Sequence, residues 1–110
     1  MKLPNGDQAQ IDDAKLRDYC LNPAHPRGRH KARVFARALG VTIGDLELLR
    51  SRLLTAAAEG EATRAGQDEF GDRFVIDFLM EGTTGQAFVR SSWIIRAGET
   101  SPRLISCYVL

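Results

Sequence analysis

The chain has 110 residues, 44% of them hydrophobic, and its 15 Lys+Arg almost cancel 14 Asp+Glu to leave a formal charge of +1. That balance excludes a uniformly basic nucleic-acid coat and an acidic tail, and a charged fraction of 26% fits a globular rather than a disordered chain. A single domain over residues 1–110 is expected, burying roughly two-thirds of its unfolded surface.

After a Pro4-Asn5-Gly6 turn, Ala9-Gln10-Ile11 reads as a short strand. Asp12 or Asp13 can cap a first helix running to about Cys20, with Leu16, Tyr19 and Cys20 on one face. Two prolines and a glycine in residues 22–28 exclude a helix there and predict a loop of defined shape. A second helix is predicted from Arg29 to Leu39, closed by Gly40, with Val34, Phe35, Ala38 and Leu39 facing the core. Thr42 and Asp45 have the spacing of a capping box for a third helix, whose Leu46, Leu49, Leu53 and Ala57 recur at helical spacing before Gly60.

From about Phe70 the period changes to two: Phe74, Ile76, Phe78 and Met80 alternate with Arg73, Val75, Asp77 and Leu79. A turn at Gly82–Gly85 leads to a strand from Gln86 to Arg96, and a further strand runs from Arg103 to Leu110. A symmetric hairpin about Thr83-Thr84 places Asp77 opposite Arg90 and Phe74 opposite Trp93. The register of the last strand stays open by one residue, so the face carrying Ser106 and Tyr108 is undetermined. The predicted class is α+β: three N-terminal helices on a three- or four-stranded antiparallel sheet.

The near-zero total conceals a sorted distribution. Residues 22–41 carry five cations (Arg27, Arg29, Lys31, Arg33, Arg37) and no acid, whereas residues 42–82 carry four basic and nine acidic side chains. Cations at a helix start oppose the macrodipole by roughly 0.3–1 kcal/mol each, so this cluster is a local conflict of the kind functional sites show. His30 is the side chain there able to exchange a proton near neutral pH, and surrounding cations favour its neutral form, which suits a general base. The bland alternative is a solvated helix that pairs with the acidic third helix. Arg90, Arg96 and Arg103 lie on strands expected near this helix, where with Lys31 and Arg33 they could line one positive groove. His25 reads as a shaper of the proline loop and Trp93 as core. Cys20 and Cys107 read as two reduced, buried thiols. Phosphate loops, paired Cys-x-x-Cys and zinc-protease motifs are absent, and no metal or cofactor is expected. Without a membrane span or signal peptide, the expected location is the cytoplasm.

Asn22-Pro23-Ala24-His25-Pro26-Arg27-Gly28-Arg29-His30-Lys31-Ala32-Arg33-Val34-Phe35 resembles the N-terminal signature of an uncharacterised bacterial family of proteins of this length. Ser92-Trp93-Ile94-Ile95-Arg96 and Pro102-Arg103-Leu104-Ile105-Ser106-Cys107-Tyr108 resemble its C-terminal signature. Such domains are similar to toxins of the barnase–EndoU–colicin–RelE class, which place helices before a four-stranded antiparallel sheet. The resemblance implies metal-independent RNA cleavage by a toxin with a cognate antitoxin. Carried over, His30 is the base, Lys31 the phosphate ligand and Ser106 the last-strand hydroxyl, with Arg29, Arg33, Arg90, Arg103 and Tyr108 as phosphate- or substrate-binding residues. The sequence departs from that class in having Ser for Thr and no terminal proline after the aromatic. The alternative function is a non-catalytic antitoxin, immunity or adaptor module that uses the basic face around Arg29–Arg37. A second copy of the chain stays open as a partner.

Overall fold

The computed structural model describes residues 1–110. Helices precede strands throughout: α1 (Asp13–Lys15) continues into a π-helical turn (Leu16–Cys20), followed by α2 (Arg29–Leu39) and α3 (Leu46–Glu59). Four strands complete the chain, β1 (Ala62–Asp68), β2 (Gly71–Glu81), β3 (Gln86–Arg96) and β4 (Arg103–Val109), in one antiparallel sheet of order β1-β2-β3-β4. This is the α+β arrangement anticipated from the change of period.

The helix boundaries follow local chemistry. The Asp12 side chain accepts from the Ala14 amide at the start of α1. Thr42 and Asp45 form the reciprocal capping box, with Thr42 N–H donating to the Asp45 carboxylate at 3.0 Å. Gly40 ends α2 with φ of 67°, a left-handed conformation that favours glycine. The α2 stripe is shifted from the expected one. Ala32, Phe35 and Leu39 are buried and Ala38 is half-buried, but Val34 is 39% exposed, because one helix face cannot turn both Val34 and Leu39 fully inward.

The β2–β3 hairpin has the expected register, with Phe74 opposite Trp93, Asp77 opposite Arg90 and Glu81 opposite Gln86. Phe74, Ile76, Met80, Val89 and Trp93 are buried in the same core as Phe35, Leu49 and Leu53. The polar groups within that core are satisfied: the Trp93 indole donates to Ser91 Oγ at 2.9 Å, and Ser91 donates to the Ile76 carbonyl at 3.0 Å. The turn packs on the end of α2, where a Cβ on Gly82 would come within 2.1 Å of the Leu39 carbonyl oxygen. On the other face of the sheet, Leu79 and Phe88 remain 53% and 55% exposed.

Three segments differ from the sequence expectation. Ala9–Ile11 is reduced to a single parallel bridge between Gln10 and Arg103 at the edge of β4. β1 did not announce itself, because it is an edge strand in which every residue after Ala62 is exposed, with an irregular step between Arg64 and Gly66. In β4, Leu104 and Ser106 share sequence parity yet lie on opposite faces. Leu104 is opposite Trp93 while Ser106 is opposite Ser92, which leaves Ile105 as the extra residue of a bulge. That bulge aligns Leu104, Cys107 and Val109 with the core residues of β3 and turns Ser106 and Tyr108 towards the row of Ser92 and Arg90.

Candidate functional site

The start of α2 is organised by His25. Its Nδ1 accepts from the Arg27 amide at 3.0 Å and the Gly28 amide at 2.9 Å, and its carbonyl accepts from the Arg29 amide at 3.0 Å. The imidazole thereby takes the place of a side-chain cap, since Gly28 at the N-cap supplies none. Its ring packs edge-on against Tyr19, with centroids 4.8 Å apart. His25 is therefore the loop shaper inferred from the proline-rich segment. It thereby satisfies the Arg27 and Gly28 amides ahead of the helix.

Lys31 is where those side chains meet the sheet. Its ammonium donates to Ser106 Oγ at 3.4 Å and lies 5.1 Å from the Tyr19 ring centroid and 5.3 Å from that of Tyr108. Three elements converge here: the π-turn brings Tyr19, α2 brings Lys31, and the β4 bulge brings Ser106 and Tyr108. A groove of about 450 Å³ adjoins them, lined by Tyr19, His25, Ile105, Lys15, Asp18 and neighbouring residues.

Beneath this contact lie Cys20 and Cys107, both free and fully buried, as the sequence suggested. Their proximity was not foreseen. Hydrogen bonding to Cys107 lowers the Cys20 thiol to about 7 against the opposing effect of burial, with the Cys107 amide, the Lys31 charge and the Ser106 hydroxyl acting in the same direction. Cys107 is raised, first by its contact with Cys20 and then by burial.

The other candidate residues divide into separate groups. Arg29 and His30 are exposed on the first turn of α2, and neither Lys31 nor any of Arg27, Arg29, Arg33 and Arg37 forms an ion pair. The basic helix makes no ion pair with α3, which itself carries two glutamates and two arginines. Arg33 lines a different, more apolar groove with Leu21, Pro23, Ala36 and Ile43. Arg90 is held by Asp77 through two 2.8 Å hydrogen bonds, and its guanidinium is favoured in the charged form by Asp77 first and by Tyr108 second. Arg103 is paired with Glu99 at 3.0 Å and borders a cleft shared with Lys15 and Arg96. The five cations anticipated along one groove thus occupy several surfaces, with the Lys31–Ser106 contact joining helix to sheet. No group of three or more His, Cys, Asp or Glu side chains that could hold a metal ion is brought together. No helix is long and apolar enough to cross a membrane.

Helices laid on one face of a four-stranded antiparallel sheet, with a lysine–serine contact between the basic helix and the edge strand, define the class of fold. A solved structure with that fold, from a contact-dependent growth inhibition toxin–immunity protein complex of Klebsiella pneumoniae 342, matches with a TM-score of 0.69 at 16% sequence identity. The match covers 90% of this chain and 91% of that one. No curated protein matches the sequence. The chain belongs to the DUF6883 family, described as a domain of unknown function, whose profile matches residues 2–110.

Proposed function

We propose that the chain is a small metal-independent ribonuclease that acts as a growth-inhibiting toxin and is held in check by a dedicated protein inhibitor. The observation that carries this reading is the Lys31–Ser106 contact, close to two tyrosine rings and beside an open groove, with the exposed His30 preceding Lys31 in the chain. An un-ion-paired cluster of five cations supports it, since a helix that keeps such charge free suits a polyanion. The toxin–immunity complex that shares this fold supports the pairing with an inhibitor. The exposed apolar side chains of Leu79 and Phe88, on the sheet face that also carries Tyr108, offer such a protein a surface close to the site.

In this mechanism the His30 imidazole removes the proton from a ribose 2′-hydroxyl. The 2′-oxygen attacks the adjacent phosphorus, the bond to the 5′-oxygen breaks, and the leaving oxygen takes a proton from water. The products are a 2′,3′-cyclic phosphate and a 5′-hydroxyl. Lys31 faces the non-bridging oxygens as charge builds on them, Ser106 orients the ammonium, and Tyr19 or Tyr108 stacks on a neighbouring base.

The test incubates the purified chain with structured and unstructured RNAs in excess chelator and reads the termini by mass spectrometry. Cyclic-phosphate ends that vanish with His30→Ala and Lys31→Ala are expected. RNA left intact by the wild-type chain overturns the reading. If the chain then captures a partner protein through Lys31 and Arg33, and does so without His30, the binding-module function takes its place.

A further inference from the structure

Among the cations of α2, the proposed cleavage step uses Lys31, and the three arginines form a separate row. Arg29, Arg33 and Arg37 repeat every four residues, are exposed, and form no ion pair. Like charges at that spacing oppose a helix, and no Asp or Glu lies between Asn22 and Val41 to offset them. Ala32 and Ala36 each stand one residue before an arginine of the row, so the alanine side of α2 runs alongside it. On that side lies an apolar groove of about 300 Å³, between α2 and the segment that leads into α3. Its walls are Leu21, Pro23, Ala32, Ala36 and Ile43, with Arg33 on its border. Leu21 and Ala32 are buried, whereas Pro23 and Ala36 are exposed and Ile43 is 42% exposed, so the fold leaves the groove open. None of the lining residues is acidic or aromatic, and the nearby Asp45 carboxylate is taken up by the Thr42 amide at 3.0 Å.

We propose that this groove docks an acidic, amphipathic helix of a partner protein, which seats a bulky aliphatic side chain between Ala36 and Ile43 and sets carboxylates against Arg29, Arg33 and Arg37. Charge complementarity selects an acidic occupant, and a partner helix can repeat its carboxylates at the same spacing over the row's length of about 12 Å. The apolar walls select a side chain over a nucleotide. No ring is there to stack a base, and RNA phosphates would meet the arginines while leaving the groove empty. The chain's own helices do not supply such a segment: α3 carries Glu47 and Glu59, with Arg50 and Arg52 between them. The docking does not depend on RNA cleavage by the chain. Where the chain does cleave RNA, the bound helix keeps the polyanion off α2.

The test adds to the full, isotope-labelled chain a synthetic helical peptide of about 20 residues, with glutamates at four-residue spacing beside a stripe of leucines. Amide resonances of Ala32, Ala36 and Ile43 should move most. Binding should weaken about tenfold or more with Arg33→Glu, with Ala36→Trp, or when the peptide's leucines are replaced by glutamine. Ala36 is exposed, so the indole fills the groove from outside and leaves the charge of the helix unchanged. Circular dichroism checks both variants, and if either fails to fold, the other and the glutamine peptide decide. No binding at about 1 mM peptide, or equal binding by the glutamine peptide, overturns the proposal. So does an oligouridylate that moves the Ala36 and Ile43 resonances as the peptide does, which would make RNA the occupant. The same shifts on concentrating the chain alone would make a second copy the occupant and overturn it too. None of these readouts needs RNA cleavage, so this proposal and the ribonuclease reading fail separately.

Discussion

Lys31 and Ser106 meet at 3.4 Å although 75 positions separate them, and the contact exists only because a bulge in β4 turns Ser106 away from the core. Each residue contributes differently if the site binds phosphate. Lys31→Met keeps the aliphatic length and removes the charge, so RNA cleavage should fall by roughly 100–1000-fold, as when a principal transition-state donor is removed. Ser106→Ala leaves the ammonium between its tyrosines and should cost far less, about tenfold. Steady-state cleavage on one RNA measures both, with circular dichroism to show that each variant is folded. Equal losses from the two changes would contradict this division of roles.

His25 offers a stability prediction that does not touch the chemistry. Its Nδ1 accepts from two amides at the head of α2, one of them on the buried Gly28. His25→Ala leaves those donors without a partner and removes the ring that packs on Tyr19. A loss of about 1–3 kcal/mol in denaturant unfolding is expected, with hydrogen exchange accelerated first in residues 25–32. A change within a few tenths of a kcal/mol would mean that water caps the helix equally well.

Asp77 and Arg90 lie opposite each other on the uncovered sheet face, joined by two hydrogen bonds. Those bonds hold the Asp77 carboxyl below the usual carboxylate range against the opposing effect of desolvation, with the Arg90 charge adding to them. A carboxyl lowered by folding binds its proton less tightly in the native state. Its stabilising contribution is therefore complete above the unfolded value of 3.8 and is lost as pH falls through the folded one. Asp77→Asn should be slightly less stable than wild type at pH 7, with the gap shrinking as the solution is acidified below that value. Solvent screens the pair, so the gap should also narrow in high salt. Thermal melts across a pH series measure it, and a gap constant with pH would remove the electrostatic explanation.

The legible parts of this fold are those with strong periodicity and local caps: α2 with its Gly40 stop, the Thr42–Asp45 box, and the β2–β3 register read from the turn. β1 escaped notice because an edge strand exposed along nearly its whole length carries no alternation of apolar residues. Among the site residues, the cation cluster was visible as a run of charge. Tyr19 carries in sequence only the signal of an apolar helix face, because no local pattern reports its contact with Lys31 of a separate helix. Which cations stay free is likewise a tertiary property: Arg90 and Arg103 resemble Arg33 in sequence yet are bound by Asp77 and Glu99. For Ser106, strict alternation from Leu104 would have assigned the core face. One extra residue reverses that assignment, and sequence parity cannot reveal it.

That extra residue can be tested directly. Excising Ile105 would leave Leu104 opposite Trp93 and Ser106 opposite Ser92, the same pairs in an uninterrupted ladder. What would disappear is the Ile105 side chain on the wall of the groove and the carbonyl that accepts from Lys15 at 3.3 Å. The shortened chain should therefore fold with a penalty below about 3 kcal/mol, in the range of ordinary single changes. Its two cysteines should stay protected from a thiol reagent, and RNA cleavage should weaken through the altered groove while remaining sensitive to Lys31→Met. Exposure of Cys107 to the reagent is the outcome that counts against the bulge, since it would mean that β4 needs Ile105 to hold its core residues inward.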